Sequence, residues 1–448
     1  MNNAWFKKRA VPAAVLLALL GGSGAAMAIV NVQCPGDTNG DAIIDDPTVN
    51  PNARCMHLTA GDGFAVMSDG NPLYTFGFAD VTGSLPGDAI SDGILAARWP
   101  GSTIVLDEGD EFYLALTNVG TVIRADLFDP HTVHWHGFPN AATVFDGVPE
   151  ISISINMGST LTYYYNVVEP GTYMYHCHVE ATEHMEMGML ANLYVRPAQN
   201  RLPDGATLGN HVHRNPDNLD GTVDRNADDP LVGDKYVYND GDGTTRYDVE
   251  APLQVSNMDH RFHDASLFVQ PLPFALLEST YPMINGRGYP DTIKDPADAY
   301  QDPSTLVMGP PVDSLDGKVT GTAGEILNNG EVAQDLGSRV EVAAGQKLLL
   351  RLSNVSVDRF FTIAVQGMTM QIVGTGARLA RGSDDKNIYQ EMAAFNFGGG
   401  EVKDVLIDTT GVAPGTYFLH ATELHQMSSW TELDGGLITE IVVNPPTI

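Results

Sequence analysis

Cys177 stands between two histidines, His176 and His178, and is followed by His184 and Met189, seven and twelve residues further on. Upstream lie His131, His134 and His136. In a strand, residues two apart share a face and immediate neighbours point to opposite faces. His134 and His136 therefore project together. His176 and His178 also project together, away from Cys177. A bend at Asp129-Pro130 lets His131 reach the Cys177 side. Two imidazoles, one thiolate and a weak axial thioether make the ligand set of a type 1, or blue, copper site. His131, Cys177, His184 and Met189 supply that set. An isolated His-x-His is common on protein surfaces, whereas HxxHxH with HCH, a further histidine and a methionine in one region is specific. The bland alternative is a set of core histidines around a core cysteine.

Strands must hold these residues. Residues 61–197 carry short runs rich in Val, Ile, Thr, Tyr and Phe, bounded by Gly, Pro, Asn and Asp, which predict an all-β region. Runs 103–106, 111–116 and 161–167 are examples. The pattern resumes over 247–448. The two regions look like copies. His131-Thr-Val-His-Trp-His-Gly137 aligns with Phe361-Thr-Ile-Ala-Val-Gln-Gly367, and Pro170-Gly-Thr-Tyr-Met-Tyr-His176 with Pro414-Gly-Thr-Tyr-Phe-Leu-His420. Two related β-sandwich domains follow. Residues 29–60 form an acidic N-terminal segment, and 198–246 a polar, Asp-rich linker.

The segments HTVHWHG (131–137), FDGVP (145–149), PGTYMYHCHVEATEHMEMGM (170–189) and INGRGYPDT (284–292) make the chain resemble the multicopper oxidase family. The layout is similar to two-domain, laccase-like members with the blue copper in the first domain. The resemblance implies two Greek-key cupredoxin domains. It implies a reductant, phenolic or metal-ion, that is oxidised at the type 1 copper, and dioxygen reduced at a trinuclear cluster between domains of neighbouring subunits in a homotrimer. Each domain would give that cluster four histidines. The first domain carries His134, His136, His176 and His178. The second has Ala364, Gln366, His420 and Thr422 at the matching positions, so only His420 remains. Its own blue site is lost to Phe361 and Ala421. The type 2 and type 3 coppers are thereby left incomplete. Asp146 matches an acidic residue that relays protons in the family; its other reading is a turn residue before Gly147. Two alternatives to the oxidase stay open: a blue-copper electron-transfer or copper-handling protein, and a nitrite-reductase-like enzyme.

Composition narrows the setting. Lys7, Lys8 and Arg9, an apolar run over 11–20 and Ala26-Met27-Ala28 read as a signal peptide over 1–28. The expectation is a periplasmic or secreted protein with no membrane span. A net charge of −32 disfavours nucleic acid and anionic membranes as partners. An oxidising compartment favours a Cys34–Cys55 disulfide, leaving Cys177 free. Asp37, Asn39, Asp41 and Asp45 have the spacing of a calcium loop without its closing glutamate; the alternative is an acidic loop. Glu180, Glu183 and Glu186 with Met185 and Met187 offer either a docking surface for a cation or packing beside the ligand loop. His211 and His213 read as a surface pair, and His260 and His263 as structural.

Overall fold

The computed structural model describes residues 30–139, 141–215, 233–268, 272–294, 333–430 and 433–446. The signal-peptide segment lies outside them.

The first β region holds β1 (Ala53–Val66), β2 (Pro72–Asp80), a short helix α1 (Ala89–Gly93), β3 (Gly101–Asp107), β4 (Glu111–Gly120), β5 (His134–His136), β6 (Thr160–Asn166), β7 (Gly171–His176), helix α2 (Ala181–Met187) and β8 (Leu190–Arg196). One sheet has the order β2-β1-β4-β6 and the other β3-β8-β7-β5. The inner faces bury Leu58, Phe76, Leu114, Trp135, Tyr163 and Tyr175. Alternation along β5 places Trp135 inward, stacked on Tyr165 at 3.8 Å, and turns His134 and His136 the other way.

The acidic segments are less loose than their composition suggests. β1 begins at Ala53, inside the acidic N-terminal segment, and runs parallel to β4. The linker forms β9 (Thr207–Leu208) with β10 (His211–Val212), then β11 (Lys235–Tyr236) with β12 (Arg246–Tyr247). Tyr236 and Tyr247 are fully buried there. His213 is buried too, against the Tyr236 hydroxyl, and is not a surface residue.

The second region holds β13 (Val249–Met258), helix α3 (His260–Ser266), β14 (Tyr281–Ile284), β15 (Val340–Ala343), β16 (Lys347–Asn354), β17 (Phe361–Val365), β18 (Met370–Thr375), β19 (Arg378–Leu379), β20 (Gln390–Met392), β21 (Ala394–Phe397), β22 (Val402–Asp408), β23 (Gly415–Ala421) and β24 (Ile438–Asn444). Its sheets run β14-β13-β16-β22-β18-β19 and β15-β24-β23-β17-β21. The first four strands of each order repeat the first region. The parallel pairs β1/β4 and β3/β8 recur as β13/β16 and β15/β24. The repeat holds to the residue: His134 lies opposite His176, and Ala364 opposite His420.

Cys34 and Cys55 form the expected disulfide, and Cys177 is free and buried.

Candidate metal centre

Cys177 follows directly on β7, the strand that pairs β5. Its sulfur sits 3.3 Å from His184 Nδ1 and 3.9 Å from His131 Nδ1. His131 reaches it because the chain after Asp129-Pro130 makes an isolated bridge to Ile155. The ligand atoms of His131, Cys177 and His184 all lie within 4.8 Å of one another, and all three residues are buried. Met189 is also fully buried, and its carbonyl oxygen accepts the Cys177 N–H at 3.0 Å. α2 and the turn after it thus bring His184 and Met189 back to the cysteine. Gly188 makes that turn with φ 121°.

The electrostatics suit a soft metal ion. Burial pushes the Cys177 thiol up, but the facing His184 and His131 rings draw it well below its ordinary range. Burial opposes charge on His184, while the Cys177 thiolate and then Asp129 raise it above the usual imidazole value. Burial lowers His131. A thiolate and two imidazoles in a dry pocket are the donors that copper prefers.

A second group lies on the opposite side of the same strands. The ligand atoms of His134, His136 and His176 also come within 4.8 Å of one another. The ring of His178 adjoins them, 5.2 Å from that of His134 and 5.8 Å from that of His176. Backbone carbonyls orient two of these rings. His134 Nδ1 donates to Asp146 O at 2.6 Å, and His176 Nδ1 to Cys177 O at 2.8 Å, which turns each Nε2 lone pair towards the group, where His176 Nε2 lies 3.3 Å from His136 Nδ1. Burial lowers His134 and His136, and takes His176 down to about 3, so the rings are neutral near pH 7. The Asp146 carboxylate stands 3.7 Å from His134 Nδ1.

His420 keeps the same local device, with Nδ1 donating to Ala421 O at 2.8 Å. It is not part of either group. It lines a cavity of about 400 Å³ with Tyr289, Gln366, Phe418, Met427, Asp434 and Ile438. Within one chain the second region instead brings Gly400 against His136; a Cβ on Gly400 would lie 3.2 Å from that ring. The sequence alignment of His420 with His176 is therefore right in register, but the single chain does not carry His420 to the first-region histidines.

Two alternatives that the sequence leaves open are narrowed here. Glu183, Glu186 and Met187 are buried, so the acidic residues of α2 do not form an open docking surface. Asp37 spends both carboxylate oxygens on the amides of Asn39, Gly40 and Ala42, and Asp45 is engaged by Thr38. Among the described residues, the groups of three or more converging ligand atoms are the two histidine-containing ones, and the Asp37–Asp45 loop is not among them.

Gly147 is a residue that spacing alone does not flag. With φ 82°, a Cβ there would sit 2.2 Å from Val133 O and 2.8 Å from His134 Cα. Gly147→Ala should push β5 out of place. We expect a loss of about 2 kcal/mol or more, read by denaturant unfolding, and weaker metal retention by the His134 group.

Comparison with known proteins agrees with this layout. Residues 93–224 and 281–444 each match a family model described as multicopper oxidase, and together they span most of the chain. The chain belongs to the multicopper oxidase family. It is 29% identical over 170 residues to a multicopper oxidase of Byssochlamys spectabilis, covering 36% of this chain and 22% of that protein. It is 32% identical over 109 residues to laccase-1 of Emericella nidulans, covering 24% of this chain and 16% of that protein. The matched stretches thus span less than a quarter of either relative. Among solved structures, the blue copper oxidase from Nitrosomonas europaea aligns with TM-score 0.56 at 20% identity, over 87% of this chain and 86% of that one. The copper nitrite reductase from the same organism aligns with TM-score 0.50 at 13% identity, over 88% and 94%. These likenesses establish two cupredoxin domains as the fold. No described helix is long and apolar enough to cross a membrane.

Proposed function

We propose that this member of the multicopper oxidase family is an exported copper-dependent oxidoreductase that takes electrons from a small-molecule or metal-ion reductant and delivers them to dioxygen. The observation that carries the reading is the back-to-back placement of the two ligand groups. His131, Cys177 and His184 converge on one side of the His176-Cys177-His178 triplet, and His134, His136 and His176 converge on the other. Copper held there would supply one-electron redox chemistry at the first group and dioxygen-reducing chemistry at the second.

The chain's own residues do the rest. Cys177 and His176 are covalent neighbours, so the path between the groups runs through one backbone link. The carbonyls of Asp146 and Cys177 hold His134 and His176 with Nε2 outward. Asp146, a quarter exposed beside His134, can hold a proton for the second group. The buried setting of Cys177 keeps water from the thiolate. Met189 would supply the thioether of the first group. His178 and His420 would be the further ligands of the second group, with His420 supplied by a neighbouring copy in a closed homotrimer, because it does not converge with His134, His136 and His176 of its own chain. The Cys34–Cys55 disulfide supports an oxidising, periplasmic or extracellular location.

A second reading rests on Ala364 and Thr422, which offer little to a metal: a blue-copper electron carrier without oxidase activity. Copper counting on the loaded protein together with oxygen uptake separates the two. The oxidase reading expects more than one copper per chain and continuous oxygen consumption with a reductant. One copper per chain and no uptake would overturn it. Nitric oxide released from nitrite without oxygen would move the assignment to a nitrite reductase.

A further inference from the structure

The second domain lacks most of the family's ligands, yet it reaches into the first domain's ligand loop. Between β13 and β14 it sends out α3, whose Phe262, with Leu267 just after the helix, joins the core of the first sandwich. Arg124 of the first domain donates to the carbonyl of Ser266 at the end of this helix. Asp259 caps its start, accepting from the Arg261 N–H.

His263 lies at the centre of this contact and is fully buried. Its Nδ1 is 2.6 Å from the carbonyl oxygen of Tyr74 on β2, and its Nε2 is 3.0 Å from that of Glu186 in α2. Burial outweighs the two carbonyls and Asp259 and takes the ring down to about 4, so it is neutral near pH 7 and its single N–H donates to one of the two carbonyls at a time. The Glu186 side chain closes the ring of contacts, accepting from the Asp259 N–H at 2.7 Å. Glu186 lies between His184 and Met189. The turn that follows has no slack. A Cβ on Gly188 would meet the Trp99 ring at 2.4 Å and Phe76 O at 2.5 Å, and the Trp99 ring is 6.0 Å from that of His263. Met189 N–H donates to His184 O at 2.8 Å, tying the two candidate ligands to each other.

We propose that His263 is a positioning residue for His184 and Met189: from the second domain it clamps the turn after Glu186, and so sets how closely the axial thioether is held and the reduction potential of the first domain's copper. The inference rests on His131, Cys177, His184 and Met189 as the copper ligands.

The test compares wild type, His263→Gln and His263→Phe, all copper-loaded, by visible absorption and redox titration. Both variants should stay blue, since no ligand is changed. A released turn holds the thioether less closely and favours the reduced ion, so the potential should rise. For His263→Phe the oxidised-to-reduced ratio at fixed potential should fall about tenfold, which is about 59 mV for a one-electron couple. His263→Gln, which keeps a donor, should lie between. In the metal-free protein, amide exchange at Gly188 and Met189 should quicken about tenfold in His263→Gln. Unchanged potential and spectrum in both variants would overturn the proposal, even if they melt earlier, as would unchanged exchange if the variants fail to load. A wild type that takes up copper without a blue band would instead sink the ligand assignment itself.

Discussion

Replacing Cys177 by serine should abolish the blue band of the copper-loaded protein while leaving the fold in place. The absorption of such a site needs a thiolate on the metal, and a serine hydroxyl is neither soft nor ionised near neutral pH. No other cysteine can substitute, because Cys34 and Cys55 are joined to each other. The cost to stability should be small. The new hydroxyl would replace a sulfur 3.3 Å from His184 Nδ1, so a hydrogen-bond partner is at hand; a penalty of about 1–3 kcal/mol bounds the case in which that bond does not form. The second group faces the other way and should keep its copper. His176→Ala should do the reverse, retaining the blue band and losing metal from the His134 side. Absorption, copper counting and denaturant unfolding on the two variants check this. A blue band that survives Cys177→Ser would remove the cysteine from the site.

That the two variants should separate follows from period-two alternation, and this is why the site was legible in the sequence. His176, Cys177 and His178 sort themselves onto two faces by strand geometry alone. The matching Pro-Gly-Thr-Tyr stretches aligned the second copy with the first residue by residue, which put Ala364 in the place of His134 and His420 in the place of His176. What alternation cannot show is which surface of a strand meets a distant segment. For Glu183 and Glu186 the sequence therefore leaves both a docking surface and packing beside the ligand loop open. Both are buried, and Glu186 is met by the second domain, where its carboxylate finds the amide of Asp259. His263 was equally hidden, since its partners are backbone carbonyls, which have no sequence signature. The acidic linker reads as lacking periodicity because Tyr236, Val237 and Tyr238 form one short apolar run between acidic stretches. Each is buried by a chain remote in sequence rather than by a periodic neighbour. His420 shows the limit from the other side: local sequence set its tautomer and register, and domain packing decided which cavity it faces.

Arg351→Met should be the most destabilising single change away from the metal groups. Arg351 is fully buried on β16. Its Nε is 3.0 Å from Glu250 Oε2, and its Nη1 is 3.6 Å from Asp404 Oδ1 and 3.3 Å from Thr172 Oγ1. The guanidinium also lies over the Tyr194 ring at 4.5 Å. Thr172 donates to Asp404, as does Tyr238, each at 2.5 Å, and Arg196 donates to Glu250 at 2.9 Å. The network therefore ties β7 and β8 of the first domain to β13, β16 and β22 of the second, and β7 is the strand that ends at His176. Methionine fills the volume but strands a buried Asp404 carboxylate and half-strips Glu250, for a cost of about 3–5 kcal/mol. Acid should act on the same network. Burial pushes the Glu250 carboxyl up, but Arg351 and then Arg196 outweigh it and hold it at about 2. A depressed carboxyl stabilises the fold above its unfolded-state pKa of about 4.3, and that stability drains away as pH falls from there towards 2. The stake is on the order of 3 kcal/mol. Glu250→Gln should therefore weaken the protein at pH 7 yet flatten its loss between pH 4.5 and 2. Denaturant midpoints of wild type and both variants across that range decide it. An Arg351→Met protein within 1 kcal/mol of wild type at pH 7 would mean that water, rather than the guanidinium, holds the Asp404 charge between the two domains.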